Sequence, residues 1–240
     1  NSVTGFAGDR KFLEGVELTI PDGRGGQVTV SGLEGQFDAA ERRARLSGNV
    51  TVEGREEGLS LRTGTLFYDN DRDMIFTADD IVFSVGGLEG QGRGMNYLVS
   101  NRQIKIPDRV LLRIAAAEAG QPAAITSGDL VAALDGNTAV FTDNVRMEHG
   151  GDVLYGNYLK VQFDESRRLV RQMNAFGDVV ATLAPRPDGT VNEMRADSLA
   201  AEFSGPKSQL RVAEASGSCR VTSGPYTSRS RSARYRAAGD

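Results

Sequence analysis

The chain has 240 residues, a formal net charge of −4 and 39% apolar side chains. That balance excludes the strong positive field of a nucleic-acid binder. No apolar run approaches the roughly 18 residues that a membrane-spanning helix needs, and a single cysteine, Cys219, cannot form an internal disulfide.

In chain order, one short phrase returns seven times. It is a small residue, two variable residues, an apolar one, one variable, then an aromatic or apolar one. The phrase reads Gly32-x-x-Gly35-x-Phe37, Thr63-x-x-Leu66-x-Tyr68, Gly92-x-x-Met95-x-Tyr97 and Ser127-x-x-Leu130-x-Ala132. It continues as Gly156-x-x-Leu159-x-Val161, Ala196-x-x-Leu199-x-Ala201 and Ser228-x-x-Arg231-x-Ala233. The steps are 31, 29, 35, 29, 40 and 32 residues, the period of stacked supersecondary units. A polar turn follows each phrase, then a second alternating run such as Ala44-x-Leu46, Met74-x-Phe76 or Ile104-x-Ile106. Small or acidic pairs (Gly48-Asn49, Asp79-Asp80, Asp143-Asn144, Gly177-Asp178, Gly217-Ser218) lead into a third run. Apolar residues at every second position share one face of a pleated strand, and the small and acidic pairs suit tight turns or corners. The expected fold is all-β: an elongated, repeat-built pair of facing antiparallel sheets over 1–240, with 115–124 as the place where it would divide into halves 1–114 and 125–240.

Residues Val110–Ile114 read as a strand in preference to a helix over 108–120, because they occupy the third-run position. Residues 115–124 and 186–189 read as loops that lengthen their repeats. The chain opens and stops abruptly, without an initiator Met. It is expected to be a fragment or a processed chain whose export signal or anchor lay upstream.

Chemistry is sparse. His149 is the only histidine, so neither a common zinc site nor a serine triad is supported. The acid pairs Glu56-Glu57 and Asp79-Asp80 read as turn carboxylates, and the glycines of 86–94 lack the Lys-Ser or Lys-Thr ending of a phosphate loop. They read as a strand kink. No catalytic residue, metal or cofactor is expected. Arg220, Arg229, Arg231, Arg234 and Arg236 cluster near the end. A patch for phosphate or anionic head groups is one reading; the outward residues of an exposed strand are the plainer one, and it is preferred. Cys219 occupies the slot of Val50 and Val145 and reads as a buried small hydrophobe.

The phrases Ala44-Arg45-Leu46-Ser47-Gly48-Asn49-Val50-Thr51-Val52 and Leu61-Arg62-Thr63-Gly64-Thr65-Leu66-Phe67-Tyr68-Asp69 resemble the OstA-like repeat of periplasmic lipopolysaccharide-transport proteins. Residues 46–106 are most similar to the LptC branch, and 126–221 keep the repeat more loosely, as in LptA and the LptD N-terminal domain. The resemblance implies a twisted β-jellyroll, open along one side, that holds the acyl chains of lipopolysaccharide between its sheets. It also implies transfer from an inner-membrane ABC transporter, jellyroll to jellyroll by edge-strand pairing, toward the outer membrane. LptC-like members carry an N-terminal membrane helix as a tether, which this sequence lacks.

The groove lining is expected to be Phe37, Leu46, Val50, Leu59, Leu61, Leu66, Tyr68, Phe76, Phe83, Met95, Tyr97, Ile104 and Ile106. In the second half it is Leu130, Phe141, Val145, Met147, Leu159, Val161, Phe163, Leu199, Phe203 and Val221. The alternative for the same residues is an ordinary sandwich core. Gln27–Val30 and Arg229–Tyr235 are expected at or near the two ends of the stack. A competing function is a structural or adhesive β-solenoid that binds protein or carbohydrate on its outer faces, and a polysaccharide lyase is more distant. A splayed apolar interior favours lipid; a closed interior with an aromatic and acidic outer groove favours carbohydrate.

Overall fold

Alternation of apolar and polar residues over a dozen positions, broken once in the middle by a small or acidic pair, produces long strands with a corner in them. The computed structural model describes residues 10–21, 26–54, 58–115, 122–166, 169–185, 189–205 and 208–236, together with the backbone of 2–7. The Glu56-Glu57 pair, residues 116–121 of the expected central loop and 186–188 of the second loop lie outside the described residues.

The described residues form seventeen strands: β1 (Ser2–Ala7), β2 (Arg10–Pro21), β3 (Gln27–Asp38), β4 (Arg43–Gly54), β5 (Leu59–Asp69), β6 (Met74–Val85), β7 (Leu88–Leu98), β8 (Gln103–Ile106), β9 (Asp108–Ile114), β10 (Ala123–Ser127), β11 (Asp129–Ala133), β12 (Thr138–His149), β13 (Asp152–Phe163), β14 (Val170–Leu183), β15 (Asn192–Ser204), β16 (Gln209–Ser223) and β17 (Tyr226–Arg236). Each pairs antiparallel with its neighbour in an unbroken meander from β1 to β7 and from β12 to β17. In the middle, β8 and β9 act as one strand interrupted at Pro107, and both pair with β7. Likewise β10 and β11 act as one strand interrupted at Gly128, and both pair with β12. Because β9 also pairs with β10 and β8 with β11, hydrogen bonding continues through the centre of the chain. Asp108–Ile114 is strand, as the repeat phase requires, and Ala123 and Ala124 open β10 instead of closing a loop.

The corner falls at the same place in strand after strand. Register shifts lie between Ser31 and Glu34, Ser47 and Val50, Thr77 and Asp80, Thr142 and Val145, Phe176 and Val179, and Ser216 and Cys219. These are β-bulges, which bend a strand and tighten its twist. All but the one at Thr77–Asp80 are built from left-handed pairs: Gly48 and Asn49 (φ 78° and 49°), Asp143 and Asn144 (66° and 52°), Gly177 and Asp178 (78° and 52°), Gly217 and Ser218 (71° and 46°). Gly, Asn and Asp are the residues that enter this region at least cost. The small and acidic pairs are therefore mid-strand corners, and the second and third runs of each repeat are two arms of one strand. Asp79-Asp80 belongs to the same line. The Asp79 amide donates to Thr77 Oγ1 at 3.1 Å, and Arg109 donates to Asp80 at 2.6 Å.

The line of corners creases the meander into two facing arms. One arm ends where the strands stop at Asp38 and Arg43, Asp69 and Met74, Leu98 and Gln103, Ala133 and Thr138, Phe163 and Val170, and Ser204 and Gln209. The other ends near 21–27, 54–59, 85–88, 114–123, 149–152, 183–192 and 223–226. Apolar side chains of both arms fill the space between them. Val16 of one arm packs so close to Gly35 of the other that a Cβ there would collide with it.

One expectation is refined and one corrected here. Gln27–Val30 lies near the N-terminal end of the stack, one strand in: β3 is covered by β2, and Val28 and Val30 are buried. The N-terminal edge is β1, which pairs with Arg10–Glu14 only and leaves Val16–Pro21 of β2 without an outer neighbour among the described residues. Arg229–Tyr235 does lie on the outermost strand, β17. The seventh phrase is out of phase by two. Ser230, not Ser228, stands opposite Cys219 as Gly156 stands opposite Val145, so the phrase reads Ser230-x-x-Ala233-x-Tyr235.

Candidate functional site

Cross-strand register arranges the interior as transverse rows. Beside the crease, one row runs Val50, Thr63, Ile81, Gly92, Val110, Ser127, Val145, Gly156, Val179, Ala196 and Cys219, alternating large and small from strand to strand. This is why the repeated phrase begins with a small residue. At a crease the arms converge, and neighbouring large side chains would compete for the same space. Gly92 shows the constraint, since a Cβ there would meet Ile106 Cγ2 at 2.5 Å. Cys219 is buried in the slot of the valines.

Further from the crease the two halves of the chain differ. In the first half the facing rows carry Leu46, Leu66, Met95 and Ile106, then Ile75, Tyr97 and Ile104, against Val52, Leu61, Phe83, Leu112 and Ile125. All are buried, and they close the space between the arms. The Phe83 ring lies over Gly90, where any Cβ would displace it. In the second half the corresponding rows carry Ala139, Val161, Met173, Ala201 and Ala213 on one arm and Leu154, Ala181 and Met194 on the other. Three of the five on the first arm are alanines, which fill less of the space between the arms. A cavity of about 400 Å³ opens between the arms. Its walls are Ile114, Ala123, Met147, Leu154 and Ala181 on one side and Val170, Met173, Leu199, Ala201, Phe203, Leu210 and Ala213 on the other; His149, Asp152 and Gln209 stand among the lining residues.

The expected lining residues sort accordingly. Leu46, Val50, Leu59, Leu61, Leu66, Phe83, Met95, Tyr97, Ile104, Ile106, Leu130, Phe141, Val145, Leu159, Val161 and Phe163 are buried in the interior. Tyr68 is half-buried against them, and burial pushes its hydroxyl pKa up, with Asp73 adding to the effect. Met147, Leu199 and Phe203 line the cavity. Phe37 and Val221 lie in inward rows but are 38% exposed.

Phe76 is a correction. It pairs with Phe67 and Asn96 on the outer face, while Ile75 points inward. Three apolar residues in succession, Met74-Ile75-Phe76, fit either phase of a strand, and a one-residue slip exchanges the faces. Outside, Phe76 stacks on Phe67 at 5.1 Å between centroids, with the Arg45 guanidinium 5.8 Å above the Phe67 ring.

Sequence reading missed Met173, Ala181, Ala201 and Ala213. Alanine is a weak apolar signal in a strand, but inward alanines on consecutive strands are the mark of an interior that stays open. Buried threonine hydroxyls are satisfied: that of Thr63 donates to the Asp80 carbonyl at 3.1 Å, and that of Thr77 to the Thr65 carbonyl at 2.7 Å. Among the described residues no group of three or more His, Cys, Asp and Glu side chains is placed to hold a metal.

Residues 7–115 match the family model described as lipopolysaccharide-assembly, LptC-related. Residues 124–237 match the model described as LptA/(LptD N-terminal domain) LPS transport protein. The chain belongs to the OstA-like lipopolysaccharide-transport family. Proteins of this family are periplasmic transport components, not enzymes. The central strands β8–β11, where one matched segment ends and the next begins, are where the repeat is interrupted at Pro107 and Gly128. Among solved structures, a crystal structure of LptH, described as the LptA homologous periplasmic component of the conserved lipopolysaccharide transport device from Pseudomonas aeruginosa, matches with 14% identity, over 70% of this chain and 89% of that chain, at a TM-score of 0.27. The comparison with curated proteins gives no match.

Proposed function

We propose that this lipopolysaccharide-transport protein carries acyl chains in the apolar groove between its two arms and passes them along the stack toward the outer membrane. The supporting observation is the cavity between the alanine-lined arms of β12–β16. An acyl chain leaving water gains about 0.8 kcal/mol per buried methylene. Walls of Leu, Met, Val and Ala supply that gain without directional contacts, so a chain can slide as well as bind. At ~30 Å³ per water-sized group, 400 Å³ holds roughly a dozen such groups, a segment of one or two chains rather than a whole lipid. The groove walls include the expected residues Met147, Leu199 and Phe203; Phe76 lies outside, and the others stand in inward rows of the same interior. Lipid entering the first half has to displace side chains such as Phe83 that now occupy the space.

The chain acts as one continuous body, 1–240, with its LptC-like and LptA-like segments in series. The free edges at β1–β2 and β17 are where neighbouring jellyrolls, and the inner-membrane ABC transporter at the supply end, attach by strand addition. Anchoring at the inner membrane belongs to a segment upstream of residue 1. The outer-face alternative has two features in its favour: the Arg45–Phe67–Phe76 cluster, whose rings stack on each other, and a hollow on the outer side of β14–β17 lined by Glu202, Glu214, Arg211, Arg234 and Arg236, which carries no aromatic side chain.

Photocrosslinking decides between these readings. A photoreactive residue at Ala201 or Met173 is expected to form adducts with lipopolysaccharide in cells, and one at Phe67 is not. Adducts at Phe67 with none at Ala201, Met173, Tyr68 or Phe141 would reverse the assignment. Filling the cavity with Ala201→Phe is expected to reduce the adduct at Met173 at least severalfold while the protein stays folded.

A further inference from the structure

Of the five arginines clustered near the end of the sequence, the fold brings Arg220 and Arg229 onto one site and adds a third from another strand, while Arg234 and Arg236 share a separate hollow with Glu202 and Glu214. Arg220 of β16 stands directly opposite Arg229 of β17, and Arg195 of β15 stands directly opposite Arg220. All three point outward from the same arm and are exposed. Arg234 instead pairs with Glu214 at 2.9 Å on the other arm, and Arg231 sits at the crease. Like charges directly across a ladder destabilise it. One carboxylate answers the three: Glu193 accepts from Arg195 at 2.6 Å, and its pKa is held down by that bond, with the Arg220 charge contributing further. Hydroxyls of Thr222 and Thr227 border the row on the side of Glu193.

We propose that Arg195, Arg220 and Arg229 form a platform for the phosphates of anionic lipid head groups at a membrane surface. Guanidinium forks and hydroxyl donors match phosphate oxygens. At ~4.8 Å per strand the row spans about 10 Å from Arg195 to Arg229. That is wider than one phosphate, and it suits an array of them. Exposed guanidiniums hold a single free phosphate weakly, whereas a charged surface engages all three at once. The platform is on the outer face of the arm whose inner face lines the groove, so it is independent of whether acyl chains enter that groove.

The test uses the full chain with sedimentable vesicles of phosphatidylcholine alone or with phosphatidylglycerol, at low salt. Binding is expected to the anionic vesicles only. The variant R220A/R229A is expected to bind them roughly 25-fold less, each arginine near an anionic surface being worth about fivefold. A charge-matched control on the first half, R62A/R93A, is expected to change binding less than twofold, and both variants should melt like the parent. Equal losses in the two variants would reduce the effect to net charge and overturn the platform. Inorganic phosphate that competes better than chloride of equal ionic strength would make this a free-anion site and overturn the lipid assignment. Loss of self-association in sedimentation velocity, with vesicle binding intact, would make the face a protein contact and overturn it as well.

Discussion

Asp38 and Asp69 perform the same task one repeat apart. Each closes the turn at the end of its strand by accepting from a backbone amide three residues on, Glu41 at 3.0 Å and Arg72 at 3.2 Å, and each is held by an arginine, Arg10 and Arg43. The Glu41 amide and then Arg10 hold the Asp38 carboxyl below its ordinary range. At Asp69 burial pushes the carboxyl up, and the Arg72 amide and the Arg43 guanidinium together outweigh it. A carboxyl that is depressed in the folded state stabilises the fold fully above its unfolded pKa, about 3.9, and progressively less as pH falls through the folded value. Thermal melts are therefore expected to show stability falling on acidification from about pH 5. Asp69→Asn should be less stable near pH 7 and have a shallower acid limb; an unchanged limb would assign the acid sensitivity elsewhere. In the interior, Phe141 is fully buried between Leu130 and Leu159, so Phe141→Ala should cost about 3–5 kcal/mol in urea unfolding. Met173→Ala, on the cavity wall, should cost near the lower end of the ~2–5 kcal/mol range, since packing there is already incomplete.

At the scale of the element, the crease is the decisive feature. A long strand could stay straight; these bend because two residues in the middle adopt the left-handed region. Gly177 makes the point: its φ is 78°, and a Cβ added to it would stand 3.1 Å from side-chain atoms of Asn157. Gly177→Val should destabilise by at least the ~1–2 kcal/mol that this backbone region costs an L-residue. Asn49→Gly should be close to neutral. The alternation of small and large residues along the crease predicts a second result. Gly92→Val forces a branched side chain against Ile106 and should cost about 1–3 kcal/mol, whereas Ala196→Gly should cost less. A crease that tolerated both Gly177→Val and Gly92→Val without a shift in the denaturation midpoint would not be the hinge of the fold.

For the whole molecule, an unclosed meander must end in unpaired strands. At β17 that end is the most exposed strand among those whose side chains are described, with Tyr226 78% and Tyr235 55% exposed. Truncation after Ser223 removes little buried surface, so the melting temperature should fall by only a few degrees while binding to a neighbouring jellyroll is lost. Equal loss of folding and association would count against the free edge as a docking element. The interior shows a second global property. Along one continuous hydrogen-bonded stack, the first half is filled by its own Leu, Ile, Phe and Tyr side chains and the second half is left open by alanines. The same repeat thus builds a closed segment and an open one.

Period, strand character, inward alternation and the small residue at each corner were all legible from residues alone, because each depends on local spacing of two along a strand and about thirty along the chain. Cys219 could be placed from its slot in the repeat for the same reason. The resemblance carried by 44–52 and 61–69 led to the right family. What the tertiary structure decided was where spacing is silent. Met74-Ile75-Phe76 fits both faces, and only pairing with Phe67 turned Phe76 outward. Gln27–Val30 lies near the end of the stack, but only pairing with β2 showed that another strand covers it. The cavity depends on how far two arms stand apart, which is set by side chains from strands distant in sequence meeting across the interior. The convergence of Arg195 with Arg220 and Arg229 is likewise a matter of register between three strands, which no pattern within one strand encodes.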